Sequence, residues 1–129
     1  MKKIVIFTGA GISQESGLPT FRGEGGIWES IDAEKVADYR SWYCGRRSDC
    51  KQRRQAVLDF FNPIRRMILE SEPNEAHYAV ARLEKKYDVK VITQNGDDFH
   101  ERAGSTKVIH LHGEALMNTS TLNPYVPFD

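Results

Sequence analysis

Ile4-Val5-Ile6-Phe7-Thr8-Gly9-Ala10-Gly11-Ile12-Ser13 is the stretch on which the fold turns. Four consecutive apolar residues that run into glycines predict a buried strand feeding a tight loop. Ser13 and Ser16 can support a helical turn after the loop, and Gly17 and Pro19 stop it. Glycines directly after a strand let an anion approach backbone N–H groups, which a following helical turn helps to neutralise. The loop has no Gly-Lys-Ser or Gly-Lys-Thr, so it is not a Walker A loop, and a plain structural turn explains it equally well on its own.

Two further apolar runs, residues 89–93 and 108–111, repeat the strand signal. Helical patterns separate them from the first. Residues 51–61 carry a stripe of Val57, Leu58 and Phe61, and Asn62-Pro63 then predicts a kink or a restart, with Ile64, Ile68 and Met67 turned to the core. Residues 75–87 repeat Ala76, Val80, Leu83 and Tyr87 at helical spacing. Residues 19–31 read as an ordered glycine-rich loop anchored by Phe21, Ile27 and Trp28. Residues 32–49 read as partly helical, and residues 117–129 show no period. Strands alternating with helices define an α/β layer architecture.

The chain of 129 residues is long enough for one domain and too short for two cores. Apolar residues make up 40% of it, which excludes a collagen-like or wholly disordered chain. Lys plus Arg and Asp plus Glu both number 18, so there is no global field to draw nucleic acid or a membrane. The balance is uneven, however: between Lys35 and Arg66 there are nine basic residues against three acidic ones. Trp42 and Tyr43 beside Arg46, Arg47, Lys51, Arg53 and Arg54 keep a nucleic-acid or acidic-partner module as one alternative, with core packing under a solvated helix as the competing reading. The spacing of Cys44 and Cys50 forms no C-x-x-C pair and no disulfide framework, which points to a reducing compartment. The start has only four apolar residues after Lys2-Lys3, far short of a signal or membrane segment. A cytoplasmic, soluble protein is the expectation.

Three polar groups of residues are placed for chemistry. Arg22 beside the glycine loop can pair with phosphate, and Phe21 can cover an apolar ring. Gln94-Asn95-Gly96-Asp97-Asp98 follows the second strand, where ligands meet the carboxyl ends of parallel strands. Asn95 and Asp97 supply donor and acceptor groups there, although an ordinary turn would use the same residues. His112 follows the third strand, and a histidine, with a reference pKa of about 6.5, serves as a general base near neutrality. His110 on the same pleat face, His100 and His77 read as structural or surface residues. No histidine has the cysteine or carboxylate spacing of a metal site, so no metal and no zinc are expected.

Together, Gly9-Ala10-Gly11-Ile12-Ser13 with Ser16-Gly17 and Phe21-Arg22, Thr93-Gln94-Asn95-Gly96-Asp97 with His100-Glu101-Arg102-Ala103-Gly104, and Leu111-His112-Gly113 resemble the sirtuin family of NAD-dependent protein deacylases. Pro73-Asn74 with Ala76-His77 extends the resemblance over nearly the whole chain. It implies a partial Rossmann-like parallel sheet flanked by helices, truncated relative to a complete sirtuin. Residues 1–129 would then be a single N-terminal half of an NAD-binding catalytic domain, without the zinc module. It further implies that Gly9, Ala10, Gly11, Ile12, Ser13 and Arg22 surround the NAD pyrophosphate. Phe21 would lie on the nicotinamide side, Gln94 and Asn95 near the nicotinamide ribose, and Asp97 by the carboxamide.

By the same resemblance His112 and Asn95 are the catalytic residues. The carbonyl oxygen of an acyl-lysine attacks the ribose carbon as nicotinamide leaves, and His112 then acts as base through the ribose hydroxyls. The products are free lysine and O-acyl-ADP-ribose. Two positions depart from the family pattern: Gly96 stands where an apolar residue is common, and Thr20 where an acidic one is frequent. Asp59-Phe60-Phe61-Asn62 with Arg65-Arg66 resembles the family helix that places Phe61 and Ile64 at the acyl-selective positions. Tyr43 and Arg46 therefore imply no preference for acidic acyl groups. The expected partners are an acyl-lysine protein or peptide and either a second copy or a missing C-terminal half. A catalytically incomplete NAD-binding or regulatory module is the alternative.

Overall fold

The structure, a computed structural model, describes residues 1–119 together with the backbone of residues 127 and 128. Strand β1 (Lys3–Thr8) runs into α1 (Gly11–Gln14), and single 3-10 turns at Ile27–Glu29 and Tyr39–Ser41 flank α2 (Ala33–Val36). Helices α3 (Cys50–Glu70) and α4 (Glu75–Leu83) lead to β2 (Asp88–Thr93), α5 (Phe99–Arg102) and β3 (Val108–His110). The order in the main sheet is β1-β2-β3, and both pairings are parallel. The partial Rossmann-like α/β sheet expected from the sequence is therefore present.

Register explains which residues are covered. Ile4, Ile6 and Thr8 stand beside Val89, Val91 and Thr93, and Val91 and Thr93 beside Val108 and His110. All share one face by the alternation of a strand, and Val89, Val91 and Thr93 are fully buried there. Helix α5 closes the carboxyl end of this face, where Thr8 Oγ1 and His100 Nε2 are 3.0 Å apart. A separate apolar cluster of Leu18, Ile68 and Phe99, joined by Ile64, Met67, Ala115 and Leu116, ties α3 and α5 to the segment after β3.

Asn74 starts α4 by accepting the Ala76 N–H on its side chain, while its own N–H donates to His77 Nδ1. Its Nδ2 donates to Ile12 O at 2.7 Å and to Ser16 at 3.0 Å, so the cap of α4 also fixes the glycine loop.

Four expectations are corrected. Helix α3 continues through Pro63 without a restart; Pro63 and Asp59, whose carbonyl loses its partner, both lie on the exposed side where water serves the free group. The buried aromatic of its first half is Phe60, stacked 5.4 Å from Trp28, whereas Leu58 is exposed. Cys44 and Cys50 form a disulfide: Gly45 adopts φ 59, turning the chain back so that the two Cα atoms lie 5.6 Å apart. That pairing removes the cysteine argument for a reducing compartment. The period-free tail contains β4 (Asn118–Thr119) and β5 (Pro127–Phe128), paired antiparallel, and its other expectations, for residues 120–126 and 129, lie outside the described residues. Among the described residues no helix is long and apolar enough to cross a membrane.

Candidate active site

The carboxyl ends of the three parallel strands open on one cleft of about 1440 Å³. Ala10, Gly11 and Ser13 from the first loop, Phe21 and Arg22 from the second, Gln94, Asn95 and Asp97 after β2, and His112 after β3 all line it. Gly9 and Ile12 do not; they stand behind the wall as acceptors, Gly9 O for Asn95 Nδ2 at 3.1 Å and Ile12 O for Asn74. The glycine loop, the Gln94-to-Asp98 segment and His112, separated by up to a hundred positions in sequence, thus share one space.

At the floor of the cleft is a buried polar knot. Ser13 Oγ donates to Asp97 Oδ2 at 2.8 Å and accepts from Asn95 Nδ2 at 3.2 Å. Asp97 Oδ1 accepts the Phe99 N–H, so both carboxylate oxygens are engaged inside the protein. His77 Nε2 lies 3.5 Å from Ser13 Oγ. Since His77 Nδ1 accepts the Asn74 N–H, the proton of the neutral ring belongs on Nε2 and faces Ser13. Burial, with help from nearby His100, pushes His77 down to about 4 against the opposing pull of Asp97. His100 is lowered too, again by burial, against Asp97 and Glu101. Both rings are therefore neutral at neutral pH.

His110 behaves in the opposite way. Its Nε2 donates to Glu101 Oε1 at 2.8 Å and its Nδ1 to Asn95 O at 2.7 Å. The Glu101 hydrogen bond, opposed by burial and aided by the Asn95 carbonyl, raises His110 to about 9. Partial burial pushes Glu101 up, and the His110 hydrogen bond, a backbone hydrogen bond and the nearby His110 and His100 rings together outweigh it and hold the carboxyl below its ordinary value. A charged His110 donates both protons at once and pins the Asn95 backbone from behind while Ser13 and Gly9 hold its side chain. Glu101, His110 and Glu114 also approach within the reach of one metal ion. The proton on His110 Nε2 occupies the lone pair such an ion would need.

His112 and Arg22 differ from these groups in being exposed. Phe21 is half-buried, 5.3 Å from Trp28. Farther out, Phe61 and Ile64 line the cleft, as does Tyr43, while Arg46 does not. The basic segment is partly neutralised within itself: Arg40 pairs with Asp38, Arg47 and Arg53 with Asp49, and Arg54 lies over Trp42.

The structure brings Ser13, Asn95, Asp97 and His112 together at the cleft, and His77, His100 and His110, read from the sequence as structural or surface residues, stand among the groups behind it. For His77 the signal was present: it sits three residues after Asn74, the N3 position of a capping box, where a histidine can return the hydrogen bond. His110 follows the β3 pleat, but nothing in the local pattern places Glu101 beside it.

A parallel α/β sheet whose first strand ends in a glycine loop, with polar loops from the next two strands converging on it, defines an open α/β protein with a crevice at the carboxyl ends of its strands. The chain belongs to the Sir2 family, whose model matches residues 9–122. It is 52% identical over 124 residues to an NAD-dependent protein deacylase of Helicobacter pylori, covering 96% of this chain and 50% of that protein. A deacylase of the same description from Bacteroides thetaiotaomicron is 45% identical, with 98% of this chain and 51% of that protein covered. An ADP-ribose complex of a Sir2 homologue variant superimposes with a TM-score of 0.81 at 35% identity, over 99% of this chain and 48% of that one. A Sir2 homolog–NAD complex gives 0.77 at 35% identity, over 99% and 46%. The chain thus spans about half the length of the relatives it matches.

Proposed function

We propose that the cleft binds NAD and serves the removal of acyl groups from lysine side chains of a protein or peptide, releasing nicotinamide and O-acyl-ADP-ribose. The observation that carries this reading is the convergence of Ser13, Asn95 and His112, from three strand ends, on one cleft that also presents Arg22. The residues fit the cofactor chemically. The ring of Phe21 offers an apolar plane, Arg22 an exposed cation for the pyrophosphate, and the backbone of Ala10 and Gly11 close approach; a Cβ at Gly11 would meet nothing within 4 Å, so the loop wall there is open.

NAD supplies the electrophilic ribose carbon and the leaving nicotinamide. Asn95, whose Nδ2 is committed to Gly9 O and Ser13 Oγ, has its Oδ1 left as an acceptor for a ribose hydroxyl. His112, unburied at the rim, takes a proton from a ribose hydroxyl and returns it to solvent. Asp97 has both oxygens accepting from the protein, so its contribution to the carboxamide end is to orient Ser13 and the Asn95 loop. Phe61 and Ile64 give the acyl end an apolar wall, which suits short uncharged acyl groups. The proposed compartment is the cytoplasm, where NAD is held.

Isothermal titration with NAD tests the cofactor half on the chain itself. Heat that disappears in Arg22→Ala and Asn95→Ala is the expected result, and no heat at millimolar NAD would sink it. Mass spectrometry on NAD plus an acetyl-lysine peptide then follows nicotinamide, the freed lysine and O-acetyl-ADP-ribose.

A further inference from the structure

The disulfide between Cys44 and Cys50 joins two segments that both line the cleft. Trp42 and Tyr43, directly before Cys44, line it, and so do Val57, Phe61 and Ile64 of α3, the helix that Cys50 opens. Arg54 ties the same two segments: its Nε donates to Trp42 O at 3.0 Å and its guanidinium lies over the Trp42 ring. Arg54 is exposed, so water competes for both of its contacts. The rest of the fold does not lean on the bridge. It closes a loop across a sequence separation of six, and so short a loop restricts the unfolded chain little. Neither sulfur belongs to the sheet, to the Leu18–Ile68–Phe99 cluster or to the Ser13–Asn95–Asp97 knot.

The surroundings of the pair suit exchange rather than permanence. Cys44 is buried, whereas Cys50 is half-buried behind a turn whose residues 45–48 are exposed, so a thiol or disulfide in solution reaches the pair at Cys50. Cys50 is the first residue of the 21-residue α3, where the partial positive charge of a helix N-terminus favours a thiolate. Cys44 Sγ lies 3.6 Å from Trp42 O, a contact in which a thiol donates and a disulfide sulfur has no proton to give. The last two features stabilise the reduced pair, and a stabilised reduced form makes a disulfide easier to open. In the reducing cytoplasm proposed above, a bridge of this kind reports redox state rather than holding structure.

We propose that Cys44 and Cys50 form a reversible redox site that exchanges with small disulfides of the glutathione type, its bridge locking the Trp42–Tyr43 segment against α3 and its reduction releasing that segment. In oxidation the Cys50 thiolate attacks one sulfur of the small disulfide, and a small thiolate leaves and takes up a proton. Cys44 then gives its proton to solvent, and its sulfur displaces the second small thiol from Cys50. Two protein thiols lose two electrons and two protons, and one small disulfide gains them to become two thiols. The released segment carries residues that line the cleft with Phe61 and Ile64, so redox state sets how firmly the acyl end is walled. That consequence rests on the deacylase reading; the exchange and the release do not, and their test contains neither NAD nor substrate.

The full 129-residue chain is equilibrated with a graded series of reduced and oxidised glutathione, quenched in acid and weighed. A mass change of two hydrogens that follows the series and reverses is expected. A pair that stays bridged in the most reducing mixture or open in the most oxidising one would overturn the proposal, as would a stable glutathione adduct as end product. Hydrogen exchange reads the wall. On reduction the amides of Tyr43, Arg47 and Cys50, which donate to Tyr39 O, Cys44 O and Arg47 O, should exchange about tenfold faster or more, while Val91 and Gln94 of the sheet stay within about twofold. The Cys44→Ser/Cys50→Ser double variant should match the reduced chain in every mixture. Arg54→Ala should speed these amides further in that double variant and change them less than about twofold in the bridged chain. Equal protection with and without the bridge, or a loss that extends to Val91, would overturn the lock.

Discussion

Replacing His110 with Gln should flatten the alkaline limb of the stability profile. The ring donates to Glu101 Oε1 and to Asn95 O and is raised from an ordinary 6.5 to about 9, first through the Glu101 hydrogen bond. A rise of that size corresponds to ~3 kcal/mol of preference for the charged ring in the folded state. Glu101 is 37% exposed, so water screens its carboxylate and we expect about 2 kcal/mol to survive. Because the folded value lies above the unfolded one, the contribution is complete below pH 6.5 and is lost as pH rises through about 9. The assay is urea unfolding followed by circular dichroism at steps from about pH 6 to about pH 10, in both proteins. The wild type should lose about 2 kcal/mol over that range, and His110→Gln, which keeps an amide donor and cannot titrate, should lose almost none of it. Parallel profiles would refute the assignment of a charged His110 behind the Asn95 loop.

The acid limb should come from His77 and His100. His77 sits near 4, pushed down chiefly by burial, so stability falls as pH drops from 6.5 toward 4, and the melting temperature should show that slope before the carboxylates titrate. Ser13→Ala leaves Asp97 Oδ2 and Asn95 Nδ2 short of a buried partner and should cost about 1–3 kcal/mol in urea unfolding. Gly96→Ala places a Cβ 3.3 Å from both Ala115 Cβ and Ala115 N and should lower stability by about 1 kcal/mol in a thermal melt; a raised melting point would show that the segment after β3 yields easily. His112→Ala, at an exposed position, should leave stability within about 0.5 kcal/mol of wild type. The same variant should slow acyl transfer at least 100-fold where product formation is measurable by mass spectrometry.

The strands and the cleft were legible because their signals are local. Apolar runs closed by glycine or by Gln94-Asn95-Gly96 mark both a strand and the end at which a ligand site forms, so three such runs place three loops on one edge before any tertiary fact is known. Pro63 misled because a proline is judged by the bond it removes, and the cost vanishes when the freed carbonyl faces water. The disulfide escaped because a separation of six has no signature until Gly45 supplies the reversing turn. The protonation of the histidines behind the site was illegible for a different reason, even where, as for His77, the capping-box position was not. His77, His100 and His110 each take their character from a partner in another element: Ser13, Thr8 and Glu101. A histidine read along the chain has no sign of whether burial will strip its proton or a carboxylate will keep it.

That division also separates two kinds of work within the cleft. Ser13, Asn95 and Asp97 are buried and hold one another through short hydrogen bonds, so this chain pre-forms their geometry without help. Preorganised polar groups of this kind lose little freedom when a ligand arrives. His112 and Arg22 are exposed, and exposed groups meet a reacting centre or a pyrophosphate in full competition with water. The same uncovered state holds for Phe7 and Val5 on the adjoining strand. NAD binding should therefore depend most on the buried Ser13–Asn95–Asp97 knot, and proton transfer at His112 on how far water is excluded from the rim. If calorimetry showed His112→Ala weakening NAD binding as much as Ser13→Ala does, this separation would be wrong.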